Sequence, residues 1–480
     1  MIRLLPLFAF ALVPIALWQR WIFTFIPNYH MQHLLFYVAL PVLCWAWASG
    51  SWNPRRAWRR MLPLLPVAAL ILAVQGVAAW NSALRFPVEG VPAWRAVAVS
   101  LVKLGMQMPF IAFFMELCHL LMGDSASRRN VVRGGVAGFV ALCALCALQG
   151  VYAYGVGFGL VGPDKMAGYA QFLRGLAAVF EARWGDAVYD FYSNGSYALT
   201  ILRINGTFEE ASALAVMLGV LFVPLGFGLT GLADGAARRV GYGLVAGSCL
   251  FMVLALTSTG LVLVLAAVAL LARAAFRRYP RAGVALLGLV IVCASWAALA
   301  VDHIPDHARP FINRLKTGEI EHLPRYVLAR ELLGTAREHP LVGVGRGWSS
   351  PHVLEREGYH AAMGDYELAC WAVRGRLPIL SALPELLAEY GFPVVLAAAF
   401  GLYCLWRRLR RLHALAPDSA ALSFASAFCG PWLVMLLVAS LGSFDIRNPL
   451  IALPFYCLLA LARGAADDGA AGMRGEGAAA

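Results

Sequence analysis

Apolar runs of about 20 residues, the length that crosses a bilayer as a helix, recur along this 480-residue chain and are broken by short arginine-rich stretches. The runs are continuous rather than alternating, so the pattern predicts helices and argues against a β-barrel. Twelve spans are predicted, at about 4–25, 31–49, 61–80, 96–121, 134–160, 211–232, 242–257, 260–275, 283–300, 391–406, 421–441 and 450–463. The seventh and eighth are separated only by Ser258-Thr259. The expected fold class is therefore an all-α polytopic membrane protein.

Five arginine clusters fix the expected topology. They are Arg55, Arg56, Arg59 and Arg60; Arg128, Arg129 and Arg133; Arg238 and Arg239; Arg273, Arg277, Arg278 and Arg281; and Arg407, Arg408, Arg410 and Arg411. With all five in the cytoplasm, as the positive-inside rule requires, the spans fall in pairs between them. Both termini are then inside, and the apolar stretch after Arg3 reads as a retained first span rather than a cleaved signal peptide. The chain divides into residues 1–301, with nine spans and a medium periplasmic loop at 161–210; a large periplasmic loop at 302–390; three further spans at 391–463; and an Ala/Gly-rich cytoplasmic tail at 464–480, expected to be disordered.

Composition agrees with this division. The chain is 61% hydrophobic and 14% charged, too little charge to cover a soluble surface. Its net charge of +12 resides in the arginine clusters, so it does not point to nucleic acid. Nine of the ten cysteines lie in apolar runs, and the C-x-x-C pair Cys143 and Cys146 sits within a span with no second pair, so no metal site is expected.

The polar residues concentrate in one place. The interval Asp302–Tyr390 holds 10 of the 39 Lys+Arg, 12 of the 27 Asp+Glu and 6 of the 10 His. A chain that hides most of its length in lipid and gathers its titratable groups in one loop is expected to do its chemistry there. Within the spans, Lys103 and Gln107, and Glu116 and His119, form a polar stripe on the fourth. It reads either as a seam that joins helices or as the lining of a substrate groove.

Three external segments carry candidate chemistry. Leu202 to Ser212 places Arg203 at the mouth of the sixth span, where a five-donor fork suits phosphate, with Gly206 allowing a close backbone approach. Pro324 to Trp348 opens an amphipathic helix at Arg325, ends it before Pro340 and continues as Gly343-Val344-Gly345-Arg346-Gly347. No strand precedes that run, so a dinucleotide loop is not expected. Leu383 to Phe392 sets Glu385 and Glu389 one helical turn apart on the same face.

Together these segments resemble the bacterial O-antigen ligase and O-antigen polymerase superfamily. The resemblance rests on Arg203-x-x-Gly206-x-Phe208 before a span, then Arg325, then His339-Pro340-Leu341-Val342-Gly343-Val344-Gly345 in a large external loop, then Glu389-Tyr390-Gly391 leading into the next span. It covers about residues 200–400, and the wording around Arg203 is most similar to exopolysaccharide-associated members. The resemblance implies a fold of the GT-C type in the bacterial inner membrane, with the active site facing the periplasm. It implies a donor glycan linked to undecaprenyl diphosphate, a glycan acceptor, and neither metal nor other cofactor. Arg203 and Arg325 would hold the diphosphate, with Gly206, Glu209, His339 and Arg346 as further substrate-binding residues. A flippase and a chain-length regulator are the partners such a polymerase implies.

Ligases of this superfamily carry a His-Asn pair about nine residues before the glutamate. Here that position is Ile379-Leu380-Ser381, which favours a polymerase-like or divergent member. The acceptor base is open among His360, His352, Asp365, Glu209 and Glu389. The expected catalytic set is Arg203, Arg325, Glu389 and His360. The alternatives are a ligase or O-oligosaccharyltransferase using the same donor, and a polysaccharide-lipid transporter or flippase.

Overall fold

A computed structural model of the chain describes residues 4–18, 34–180, 197–200, 202–208, 210–278, 324–364, 366–375, 377–378, 381–442 and 448–476. Within these stretches the side chains of a few residues, Arg325 among them, lie outside the description. Apart from one isolated bridge between Val88 and Val91, the described residues hold no strand.

The helices are α1 (Leu4–Leu17), α2 (Leu34–Ala48), α3 (Pro54–Met61), α4 (Leu65–Arg85), α5 (Ala93–Gly123), α6 (Ser125–Gly157) and α7 (Ala167–Phe180). After them come α8 (Ala211–Thr230), α9 (Gly235–Leu254), α10 (Ser258–Arg278), α11 (Pro324–Glu338), α12 (Ala382–Leu415), α13 (Ala420–Ala439) and α14 (Pro449–Glu476). Eight helical stretches among the described residues are long and apolar enough to cross a membrane: α3 running on into α4, then α5, α6, α8, α9, α10, α12 and α13. Three shorter apolar helices, Leu4–Leu17, Tyr37–Ala48 and Pro449–Ala465, lie where the first, second and twelfth spans are expected. The expected ninth span, 283–300, lies outside the described residues, as does the part of the loop before Pro324, 302–323.

Three boundaries differ from the sequence expectation. The turn between the seventh and eighth spans falls at Ala255–Thr257, not at Ser258-Thr259, because the Thr257 hydroxyl oxygen accepts the Gly260 N–H at 3.0 Å and so starts α10 at Ser258. The fifth span begins at Ser125, nine residues before 134, because Asp124 accepts the Ser127 amide and caps α6. The last helix continues past Gly464 to Glu476, through an alanine-rich stretch of high helix propensity.

Caps and charges coincide at one end of the bundle. Asn53 accepts the Arg55 and Arg56 amides, Asp124 that of Ser127, and Asp234 those of Ala236 and Ala237. Each acceptor satisfies amides left over at a helix N-terminus, and each is followed by an arginine cluster. Hydrogen bonding to these amides also holds the Asp124 and Asp234 carboxyls below the usual carboxylate range.

The core lies around α8, which is almost wholly buried. Its Gly226 meets Gly241 of α9 so closely that a Cβ on either would fall 2.6 Å from the other's carbonyl oxygen. Small residues let helix backbones approach this way in lipid, where packing rather than the hydrophobic effect drives association. Phe222 of α8 is buried in one core with Trp432 and Phe114, while Leu70, Val140, Leu396 and Phe400 are exposed. A separate small core forms where Leu328, Leu332 and Ala336 of α11 pack with Val353, Ala362, Leu368 and Ala372 of the following short helices against Ala388. The polar loop therefore has its own packing and is seated on the start of α12.

Candidate active site

The site is built on a break in α12. Gly391 adopts φ +76° and ψ 168°, which splits the element into a short helix, 382–390, and a long one beginning at Phe392. Sequence explains why the break leaves bonds to fill. Pro393 has no N–H to offer the Glu389 carbonyl one turn back. The Phe392 N–H, which would serve the Ala388 carbonyl, donates instead to Pro340 O at 2.8 Å.

Both orphaned carbonyls are taken by the glycine-rich turn of the loop. Val344 N–H donates to Ala388 O at 2.8 Å and Gly345 N–H to Glu389 O at 3.1 Å. Gly343 sits at φ +70°, and a Cβ there would overlap the Glu389 backbone; one at Gly391 would fall 2.7 Å from the Leu341 carbonyl carbon. The two motifs are thus halves of one backbone junction.

That junction positions a carboxylate. Glu389 is 6% exposed, and its Oε1 accepts the Gly347 N–H at 2.6 Å. A third element, α4, locks the same turn from the side. Gln75 donates through Nε2 to Glu389 O at 3.1 Å and accepts the Arg346 N–H through Oε1 at 2.8 Å. Ala79 packs against Gly345, and Ser82 donates its hydroxyl to Val344 O at 2.6 Å. These three residues recur at i, i+4 and i+7, one stripe of the helix. From α5, the Ser100 hydroxyl donates to Arg346 O at 3.1 Å.

Beside the turn stands a pair of imidazoles. His352, 4% exposed, meets His339 edge to face with ring centroids 5.2 Å apart, and meets Phe86 at 4.7 Å. Because the Ser82 hydroxyl proton is committed to Val344 O, Ser82 Oγ accepts from His352 Nε2–H at 3.1 Å. His352 is therefore the Nε2–H tautomer. Burial, then His339 and Arg85, pull its pKa down to about 4; burial, then Arg85, also lower that of His339. Both rings are neutral near pH 7. Arg85 itself donates to Glu355 at 2.6 Å. The His339 Nε2 is buried and has no hydrogen-bond partner among the described residues.

Arg203 is set by a different device. Gln149 of α6 accepts the Asn205 N–H at 3.1 Å and the Gly206 N–H at 2.8 Å, and donates to Asn205 Oδ1 and Gly206 O. Asn205 in turn donates to Phe208 O at 2.6 Å. Leu202 and Gly206 both have positive φ, a tight backbone path that ends with Ile204 buried and Arg203 half-buried near the Tyr154 hydroxyl. An arginine here is presented by a rigid turn, not by a loose loop.

The remaining expected residues are placed as follows. Arg325 is the second residue of α11, and its side chain lies outside the described residues, as do Glu209 and Asp365. His360 is exposed on the short helix Tyr359–Met363, with its ring 6.0 Å from that of Tyr359. Of the polar stripe on α5, Glu116 is buried and accepts from Arg60 and from Trp52; at that end the stripe joins helices. Lys103 is exposed. Among the described residues no cluster of His, Cys, Asp and Glu could hold a metal ion.

Four positioning residues were not singled out from sequence: Gln75, Ser82, Ser100 and Gln149. Their signal was present as amide and hydroxyl side chains inside apolar runs, with Gln75 and Ser82 seven residues apart on one helix face. Compared with known proteins, the chain matches no protein-family model and no curated protein.

Proposed function

We propose that the chain is a twelve-span glycosyltransferase of the bacterial inner membrane that polymerises undecaprenyl-diphosphate-linked repeat units on the periplasmic side. The observation that carries this reading is the junction of the His339–Gly347 turn with Glu389–Gly391. Two motifs of the resemblance, far apart in sequence, meet as one backbone junction that holds the buried Glu389 carboxylate, and Ser82 ties His352 to the same turn. Arg203, on its own rigid turn, and Arg325 are the diphosphate ligands in this reading.

In the reaction, an acceptor sugar hydroxyl attacks the anomeric carbon of the donor. The new glycosidic C–O bond forms as the bond from that carbon to the diphosphate oxygen breaks, and undecaprenyl diphosphate leaves with the electron pair. Guanidinium groups stabilise the charge that develops on it. The acceptor proton passes to Glu389.

The test is chain growth by purified protein supplied with lipid-linked repeat units, with lipid A core offered in a separate reaction. Growth on repeat units that is lost in Arg203→Ala and Arg325→Ala supports the reading. Transfer to lipid A core alone makes the protein a ligase. Movement of lipid-linked glycan across proteoliposomes with no bond formed makes it a transporter.

A further inference from the structure

The arginine cluster of α3 is turned by one buried carboxylate. Glu116 of α5, 1% exposed, accepts from Arg60 Nε at 3.0 Å and from Trp52 Nε1 at 3.3 Å. Trp52 precedes α3 and Arg60 lies in its last turn, so both ends of the helix are fastened to the same side chain. Ala57, between them, is buried. With that face inward, the remaining arginines face out. Arg55, Arg56 and Arg59 are exposed, and none of their guanidinium groups has an ion pair, a hydrogen bond or a ring partner among the described residues. At the end of α12, by contrast, Arg407 and Arg410 lie over the rings of Tyr403 and Trp406.

The apolar residues beside these arginines follow in a fixed order. Arg55, Trp58, Leu62 and Leu65 recur at the three- and four-residue steps of a helix face, and Trp58, Leu62 and Leu65 are 56%, 50% and 45% exposed. The helix runs on into α4 as one stretch long enough to cross a membrane. From Arg55 to Leu65 the rise is roughly 15 Å, about the acyl depth of one leaflet. Cation, indole and aliphatic side chains therefore stand in the order in which a phospholipid presents its phosphate, its glycerol level and its acyl chain. Indole rings settle at the headgroup level of a bilayer. The guanidinium fork matches paired phosphate oxygens, and three uncompensated cations select a lipid of net negative charge. Such lipid is carried by the cytoplasmic leaflet, the side to which the positive-inside rule assigns this end of the bundle.

We propose that Arg55, Arg56 and Arg59, with Trp58 beside them, bind the phosphate headgroup of an anionic phospholipid whose acyl chain lies along Leu62 and Leu65. The site stands apart from the proposed glycosyl transfer. Gln75, which fastens the Glu389 junction, is roughly fifteen residues along the same stretch from Arg60, about 22 Å at the helical rise.

The experiment titrates detergent-solubilised full-length protein with phosphatidylglycerol and counts bound lipid by native mass spectrometry, with phosphatidylcholine titrated in parallel and inorganic phosphate as competitor. The triple variant Arg55→Gln, Arg56→Gln, Arg59→Gln is expected to weaken phosphatidylglycerol binding by about 100-fold, at roughly five-fold per cation removed, which brings it to the level of phosphatidylcholine. Trp58→Ala is expected to weaken it by less. The triple variant Arg128→Gln, Arg129→Gln, Arg133→Gln removes as much charge from the start of α6 and is expected to bind as the unmodified protein does. Undiminished binding in the α3 variant overturns the site. So does equal affinity for the two lipids, which leaves an apolar contact only. An equal loss in the α6 variant reduces the binding to general charge attraction, and displacement by inorganic phosphate at equal concentration makes the ligand a free anion; either result overturns the assignment. Should the α3 triple variant fail to fold, Arg59→Gln alone carries the test, with about five-fold weaker binding expected and unchanged binding overturning the site.

Discussion

The Gly347 amide donates to Oε1 of Glu389 at 2.6 Å, across 42 positions of sequence. This bond fixes a buried carboxylate on a helix terminus whose backbone is already clamped by the neighbouring residues of the same turn. Its rigidity makes the carboxylate's chemistry separable from its packing.

Glu389→Gln retains an Oε1 that accepts the Gly347 amide and removes the charge. The variant is expected to elute and melt as the unmodified protein does, while chain growth falls by about 10²–10⁴-fold, the range for loss of a general base. Full turnover in Glu389→Gln would show that the carboxylate only holds the turn.

Gly391→Ala tests the junction itself. The conformation at φ +76°, ψ 168° is open essentially only to glycine, and the added Cβ meets the Leu341 carbonyl. The cost is expected to be about 1–3 kcal/mol, read as a lowered thermal midpoint in detergent. Gly401→Ala, in the same helix with open space around it, is the matched control and is expected to change little.

His352 makes stability depend on pH. Its folded pKa, about 4, is depressed below the ordinary value of 6.5, so the unfolded chain binds more protons between those values. Stability contributed by the neutral ring is full above about pH 6.5 and is lost as pH falls toward 4. Melting from pH 7.5 down to 4.5 should show a decline that His352→Gln flattens. An unchanged slope in that variant would assign the decline to other groups.

Gln149→Leu removes the side chain that satisfies the Asn205 and Gly206 backbone. Leaving buried amides unpaired costs about 1–3 kcal/mol each. The variant is expected to lose activity together with Arg203→Ala, and the two losses should not add, because both displace the same guanidinium. Additive losses in the double variant would separate Gln149 from Arg203.

Much of the bundle was legible because lipid imposes a simple rule. Each span must satisfy its own backbone, so a run of apolar residues declares itself without reference to partners, and helices such as α5, α8 and α13 lie where their hydropathy puts them. Helix ends were less legible. The position of the α9–α10 turn depends on one hydroxyl of Thr257, a local bond that competes with equally good neighbours. The amphipathic helix expected to open at Arg325 and end before Pro340 was legible in its proline punctuation and in Leu328, Leu332 and Ala336, while Leu333, expected on the same face, is exposed.

By itself, the sequence determined that the chain is a helical membrane protein with its titratable residues gathered in one loop, and it named Glu389, His339 and Arg346 as candidates there. What only the tertiary structure decided is how they are held. The Gly391 break and Pro393 leave two carbonyls open, but nothing local says that amides 44 residues upstream will fill them, or that Gln75, Ser82 and Ser100 from two early helices will fasten the same turn. Those bonds join segments whose separation along the chain carries no periodic signal. They exist only once the helices have packed and the groups have no water left to bond instead.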